Sequence, residues 1–475
     1  MTRRIIALAV IIAAALSAAL IAPGAAYAAG ETAEEYVRLA PGVTAEQMSA
    51  DYWLSRKNKQ AVRADKLIMT EAEIAEFNRA NAKQISIGGE SYALTDIPDA
   101  VPGSVVRALI ENHALPDDPA SRYVNGQATD GAYWDALAAD TAIDGIGESV
   151  AVRFGYSVRR ASLRSFPTND FAGSTPTDKL YDKLVMSEFM PYLPLAVLHE
   201  SEDGEWYYVL LYGFGGWVEK KNVALCCDRA DWEARMSPEE FLTVTGRELR
   251  LAEEPYAPQI SALSLPMGTK LPLVRASDAP TTVNARRNYG CYVVKLPVRG
   301  DDGYIRDEYA LVPVTEDVTV GCLPFTAENE LRLAFRLLGD RYGWAGMYGA
   351  NDCSGIVHEI FACFGFTLPR TAEAIMHVDG WEYLDLAAGS DDDKLKVLAD
   401  IPAGSLLAFP GHIMLYLGRA GDKAYVISAV GSFAEPGKTD YAVNSVTVNS
   451  LADTVRRSGK TWLTSLDGAL VCKYR

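Results

Sequence analysis

The stretch YGANDCSGIVHEIFACFGF, residues 348–366, decides how the last third of the chain is read. Turn formers and two polar residues, Asn351 and Asp352, lead straight into Cys353. Behind the cysteine, Ile356, Val357, Ile360, Phe361 and Phe364 recur at helical spacing, so a helix opens near 353 and buries one stripe. Cys353 then sits where unpaired amides and the helix dipole favour an anion. A thiolate is an anion, and its pKa is expected to fall there. Ser354 and Gly355 keep the surroundings small, which leaves room for another chain to approach.

Such a thiol needs a base. His412 is the candidate, because Pro410 and Gly411 in AFPGHIMLYLG deliver it to the start of a strand. His358 lies five residues along the cysteine helix and points away. His377 follows a helix-like run and is expected to face solvent. His113 and His199 belong to earlier regions.

Outward from this stretch, the catalytic candidate lies in an α+β region from about 323. TAENELRLAFRLLGDRYGW carries Leu331, Leu333, Ala334, Leu337 and Leu338 at helical spacing. GSLLAF, HIMLYLG, KAYVISAV and NSVTVNSL read as successive antiparallel strands. Residues 141–232 and 233–322 read as two small β-barrels, from short β-rich runs split by Gly, Pro, Asp and Ser. A weak repeat supports two copies: Leu193-Pro194-Leu195 and Leu271-Pro272-Leu273 each open a strand, a polar turn and an aromatic strand. Residues 29–140 read as a mostly helical brace, with a capping box at Thr70 and Glu73. Residues 1–28 read as a secretory leader: Arg3 and Arg4, an apolar run from Ile5 to Ala22, and the cleavage pattern Ala26-Tyr27-Ala28.

The net charge is −17, and loss of Arg3 and Arg4 with the leader takes it to −19. An acidic surface argues against nucleic acid as a partner and against gripping an anionic polymer by charge alone. The seven cysteines are an odd number, so at least one stays outside any intrachain bridge. Cys226 and Cys227 read as strand-end core residues and Cys363 as a small core residue. Arg164 and Trp217 read as barrel core or turn residues. Asp391-Asp392-Asp393 reads as a solvated loop.

Three pieces, in order, resemble the NlpC/P60 family of cell-wall cysteine peptidases. RYGWAGMYGANDCSG matches its Tyr-x-Trp-Gly-Gly … Asp-Cys-Ser-Gly segment, with Ala345 for the first glycine of the pair. FGFTLPRTAEAIM matches its Gly-x-x-Leu-Pro-Arg-Thr run. AGSLLAFPGHIMLYLG matches its Gly-Asp-Leu … Gly-His run, with Ser405 for Asp. More loosely, SVRRASLRSFPT, DGEWYYV and GGWV, then LPMGTKLPLV, resemble two bacterial SH3 domains of a subgroup with an N-terminal stabilising segment.

The resemblance implies a papain-like α+β fold, Cys353 as nucleophile and His412 as general base. It implies that Tyr342 helps the oxyanion site or lines the pocket, and that Asp352, Ser354 and Arg370 line the cleft. The family's third catalytic position falls at Ser428, where a histidine is usual. Thr371 stands where members acting on free peptides often have Asp, so an amine anchor is expected from Asp352 or the barrel side. The implied function is a secreted, periplasmic or wall-associated endopeptidase. It would cut between γ-D-glutamate and the diamino acid of peptidoglycan stem peptides, as a monomer, with no metal or organic cofactor. The barrels are expected to narrow the cleft. Rival readings are a wall-peptide-binding protein weakened by Ser428, an acyltransferase or amidase on another γ-linked amide, and a zinc hydrolase using Cys353, His377 and His412.

Overall fold

The computed structural model describes residues 36–472 except 114, 115, 117, 212 and 440. The expected leader, residues 1–28, lies outside the described residues. No helix among the described residues is long and apolar enough to cross a membrane.

The N-terminal segment divides between two partners. Helix α1 (Glu71–Ala80) starts at the expected capping box: Thr70 Oγ1 accepts from the Glu73 amide and Glu73 Oε2 from the Thr70 amide. Its buried face, Ile74 and Phe77, joins the core of the C-terminal domain. Phe77 stacks on Trp381 at 4.9 Å. Trp53 is fully buried in the same core and meets Tyr425 at 5.2 Å. Residues 85–146 turn the other way: Ile85, Ile97, Val106 and Ile146 pack on the first barrel. Helices and loops still outweigh strands in this half. Short strands pair there, Ile85–Ile87 with Glu90–Tyr92 and Ala100–Pro102 with Ser149–Ala151. Pieces of two or three residues carry too little periodicity to be read locally.

The first barrel runs β1 (Arg153–Ser157), β2 (Ala161–Arg164), β3 (Val185–Phe189), β4 (Pro194–Glu200), β5 (Trp206–Leu211), β6 (Phe214–Glu219) and β7 (Val223–Leu225). Its order is β3-β2-β6-β5-β4-β1-β7, with every pairing antiparallel. Leu163, Leu195, Val197 and Val209 fill one side. Tyr208, Leu210 and Trp217 meet the N-terminal segment on the other. Burial on both faces explains why β5, WYYVLL, is apolar throughout. Arg164 and Trp217 are core residues, as read. Cys226 is buried, but Cys227 is exposed and leaves the core.

Residues 241–320 form a second antiparallel sheet: β8 (Phe241–Val244), β9 (Lys270–Val274), β10 (Cys291–Arg299), β11 (Ile305–Pro313) and β12 (Val318–Val320), ordered β11-β10-β9-β8-β12. The C-terminal domain opens with α2 (Ala327–Arg336) and α3 (Cys353–Ala362). Its sheet is β13 (Glu382–Asp385), β14 (Leu406–Phe409), β15 (His412–Ala420), β16 (Lys423–Phe433), β17 (Tyr441–Ser450) and β18 (Gly468–Val471), ordered β13-β18-β14-β15-β16-β17. Along β15, Ile413, Leu415 and Leu417 share the core of α2 and α3. The alternate residues Met414 and Tyr416 pack with Leu398 of α4 (Asp391–Asp400). The central strand is therefore buried on both sides, which holds its first residue rigidly. The three aspartates open α4 behind the Ser390 cap rather than forming a loop. Carboxylates suit the positive end of a helix.

Candidate active site

Asp352 caps α3, its Oδ1 accepting from the Gly355 amide at 2.7 Å. The next residue, Cys353, is thereby fixed at the helix mouth. Arg370 grips the cap from the far side, donating to Asp352 Oδ1 at 3.0 Å and Oδ2 at 2.8 Å, and to Ser354 Oγ at 2.8 Å. Burial works against the Asp352 charge, but Arg370 and the Gly355 amide overcome it and hold the carboxyl below its usual range. Oδ1 thus accepts from Arg370, the Gly355 amide and Ser354 Oγ, and Oδ2 from Arg370.

His412 opens β15 directly after the two-residue turn Pro410-Gly411, paired with Phe409 across the hairpin. Its ring lies between Phe409, at 5.2 Å, and Trp462, at 5.3 Å. Nε2 lies 3.1 Å from Ser428 Oγ. Ser428 is fully buried on β16, one strand over. With Nε2 so engaged, Nδ1 is the nitrogen left for the thiol. Cys353 and His412 line one cleft of about 640 Å³, with Tyr342 and Trp344 beside them. No hydrogen bond joins Sγ to the ring in this free site; the thiol meets the amides of Ile413 and Ser354. Such contacts commonly tighten only when substrate is bound.

The charge state differs from the sequence expectation. Burial and the neighbouring Asp352 push the Cys353 thiol up to about 12, against the pull of the two amides and Arg370. Burial, then Arg456, takes His412 down to about 4. A helix mouth favours an anion only while solvent or a cation shares the load, and here the mouth is enclosed. Both shifts favour the neutral forms, a thiol beside an imidazole.

Of the sequence-chosen residues, Cys353, His412, Tyr342, Asp352, Ser354 and Arg370 all line the cleft, and Ser428 lies behind His412. Ser354 and Arg370 act on the cap. Tyr342 packs against the α3 core. His377 is exposed, as expected, at the rim of the cleft, its Nδ1 2.7 Å from Glu373 O. His358 is turned away behind α3, as read, and burial takes it down to about 4. Among the described residues, no three His, Cys, Asp or Glu side chains are grouped to hold a metal ion. Thr371 caps the short helix Ala372–Met376. Met186 and Phe214 of the first barrel line the cleft, and the second sheet contributes none of its lining residues. Sequence reasoning missed these two, and also Phe409 and Trp462. Only the aromatic character of WLTS and LLAF hinted at the walls around His412.

Residues 172–219 match the SH3 domain of SH3b1 type, and residues 339–432 match the NlpC/P60 family. A curated relative, Dipeptidyl-peptidase 6 of Lysinibacillus sphaericus, is 26% identical over 269 residues, covering 56% of this chain and 84% of that protein. The solved NlpC/P60 endopeptidase from Photobacterium damselae subsp. piscicida is 17% identical and covers 92% of this chain and 98% of its own, with a TM-score of 0.67. An NlpC/P60 protein from Bacillus cereus is 18% identical over 66% of this chain and 98% of its own, with a TM-score of 0.46.

Proposed function

We propose that this chain, which carries an NlpC/P60 cysteine peptidase domain behind an SH3b domain, acts on the peptide stems of the bacterial cell wall. It cuts the bond between γ-D-glutamate and the diamino acid. The observation that carries the reading is a cysteine at an enclosed helix mouth, in one cleft with a histidine whose far nitrogen is already held by Ser428. The name of the curated relative supports release of a two-residue unit, which fits a cut after γ-D-glutamate when L-Ala is the free end. The expected leader supports a place of action outside the cytoplasm.

The neutral pair dictates the order of events. His412 Nδ1 takes the thiol proton as Sγ attacks the amide carbon, so no resting thiolate is required. The backbone amide of Cys353 and the Tyr342 side of the cleft receive the oxyanion. The C–N bond then breaks, and the imidazolium returns its proton to the leaving amine. His412 next deprotonates a water, which attacks the thioester. The glutamyl carboxylate leaves, and the proton returns to sulfur. Ser428 holds Nε2 throughout, which keeps Nδ1 aimed at the cleft.

Mass spectrometry of products from defined stem peptides, with and without a free N-terminal L-Ala, tests the bond and the end preference. Cys353→Ala is expected to abolish turnover with the fold retained. Turnover surviving in that variant sinks the nucleophile assignment. Products joined to an added amine would favour acyl transfer instead.

A further inference from the structure

We propose that Arg160 of the first barrel is a positioning residue of the active site, clamping the segment that carries Cys353 through a buried network with Glu188 and Glu359. Arg160 stands in the turn between β1 and β2. Its Nε donates to Glu188 Oε2 at 2.8 Å, within the barrel. Its Nη1 donates to Glu359 Oε1 at 3.3 Å, on α3. Its Nη2 donates to Ala350 O at 2.6 Å and Asn351 Oδ1 at 3.2 Å, on the loop just before the Asp352 cap. Asn351 Nδ2 closes the ring by donating to Glu359 Oε2 at 2.7 Å. One guanidinium thus holds the approach to Cys353 and the second turn of its helix at once.

The clamp is dry. Side-chain exposure is 17% for Arg160, 12% for Glu188 and 4% for Glu359. Charges this enclosed need their partners, so removing the cation leaves two carboxylates uncompensated. Burial already pushes Glu359 up to about 7, with Arg160 acting to lower it. The barrel holds the same loop elsewhere. A Cβ on Gly346 would lie 2.5 Å from Glu188 Cβ, so backbone and strand are in direct contact. Val185 of β3 packs with Ala345 and Met347. The Tyr348 hydroxyl donates to Lys179 O. The first barrel is therefore a wall on which the catalytic loop is shaped. Lysine reaches one or two of the four acceptors as a point charge, whereas the planar fork reaches all of them.

The proposal rests on Cys353 being the nucleophile. Its test uses full-length Arg160→Lys and Arg160→Gln beside wild type. Three quantities are read: kcat and KM separately, the iodoacetamide labelling rate of Cys353 by peptide mapping at pH 7, and Tm. Misplacing a nucleophile slows chemistry more than binding, by roughly 10- to 100-fold for a shift near 1 Å. The expected result is a kcat about tenfold lower in Arg160→Gln, with KM within twofold. Arg160→Lys is expected to lie between that variant and wild type. Cys353 labelling is expected to change severalfold, because Sγ shifts from the amides of Ile413 and Ser354 and from its enclosure. Glu188→Gln, which removes only the barrel-side charge, is expected to lower kcat less than Arg160→Gln. Should Arg160→Gln not fold, Arg160→Lys and Glu188→Gln still read the same split. A kcat that falls no further than the folded fraction, or unchanged labelling, overturns the proposal. Labelling needs no substrate, so a wrong substrate class leaves this test readable and fails only the stem-peptide assay.

Discussion

Ser428 meets His412 from a position with no solvent around it, and a single hydroxyl is all it offers. A hydroxyl is a weaker orienter than a carbonyl or a second ring nitrogen, but a buried one has few other ways to point. Ser428→Ala is expected to lower kcat about tenfold, equivalent to ~1.4 kcal/mol of transition-state stabilisation, with KM little changed. Steady-state kinetics on one stem peptide decides it; an unaltered kcat would remove Ser428 from the mechanism. Ser428→Asn offers a better acceptor but must fit a closed core, so its gain in orientation competes with overpacking. The His412 pKa gives a second prediction. A lowered pKa means that the neutral, proton-accepting form persists into acid. The acid limb of kcat/KM is then expected near 4, and activity at pH 5.5 should stay close to that at pH 7. A limb at the ordinary histidine value of 6.5 would show that the ring is not enclosed in the free enzyme. At this scale Cys353 could be picked out by its helix stripe and His412 by its turn, while Ser428 came from the family resemblance, by counting along a strand to its third position. The protonation states were not legible. They depend on enclosure by Phe409, Trp462 and Arg370, which are distant in sequence.

The loop from Gly343 to Gly349 cannot be replaced by an ordinary turn. Ala345, Gly346 and Tyr348 all have positive φ, at 51°, 96° and 65°. Gly346 also has the barrel against it. Gly346→Ala is expected to cost about 2 kcal/mol or more in urea unfolding, since both the φ and the space forbid a Cβ. Ala345→Gly, at a site with only the φ against it, is expected within ~1 kcal/mol of wild type, because relief of strain and lost chain stiffness offset each other. Equal effects from the two substitutions would deny the contact with Glu188. On α2, Glu330 is buried, and among the described residues it has no cationic partner and its Oε1 no hydrogen-bond partner. Burial raises its pKa well above the usual carboxylate value. A raised folded pKa means that stability is complete at low pH and lost as pH climbs toward that value. Glu330→Gln is therefore expected to raise Tm, and by more at pH 8 than at pH 5. The helices of this domain were readable because their stripes are long and regular. The left-handed run was not, because nothing local forces Ala345 into it; the close approach of β3 does.

The N-terminal segment, read as one brace, packs on two cores. Its apolar residues carry no label saying which core they join, and only tertiary packing sends residues 43–77 to the catalytic core and 85–146 to the barrel. Trp53→Ala is expected to cost about 3–5 kcal/mol and to lower the melting of the catalytic domain rather than of the barrel. Near-UV circular dichroism with limited proteolysis distinguishes the two. The same arrangement has a meaning in time. Asn58 donates to Leu417 O at 2.8 Å across 359 residues of chain. A ribosome adding about 5–20 residues per second needs roughly 20–70 s to travel between them. For that interval the segment around Asn58 waits for the strand that takes its hydrogen bond. An unfinished chain lacks the strands that hold His412 and Ser428, so it carries the cysteine without the means to use it. Hydrolytic competence therefore waits on strands made well after the cysteine.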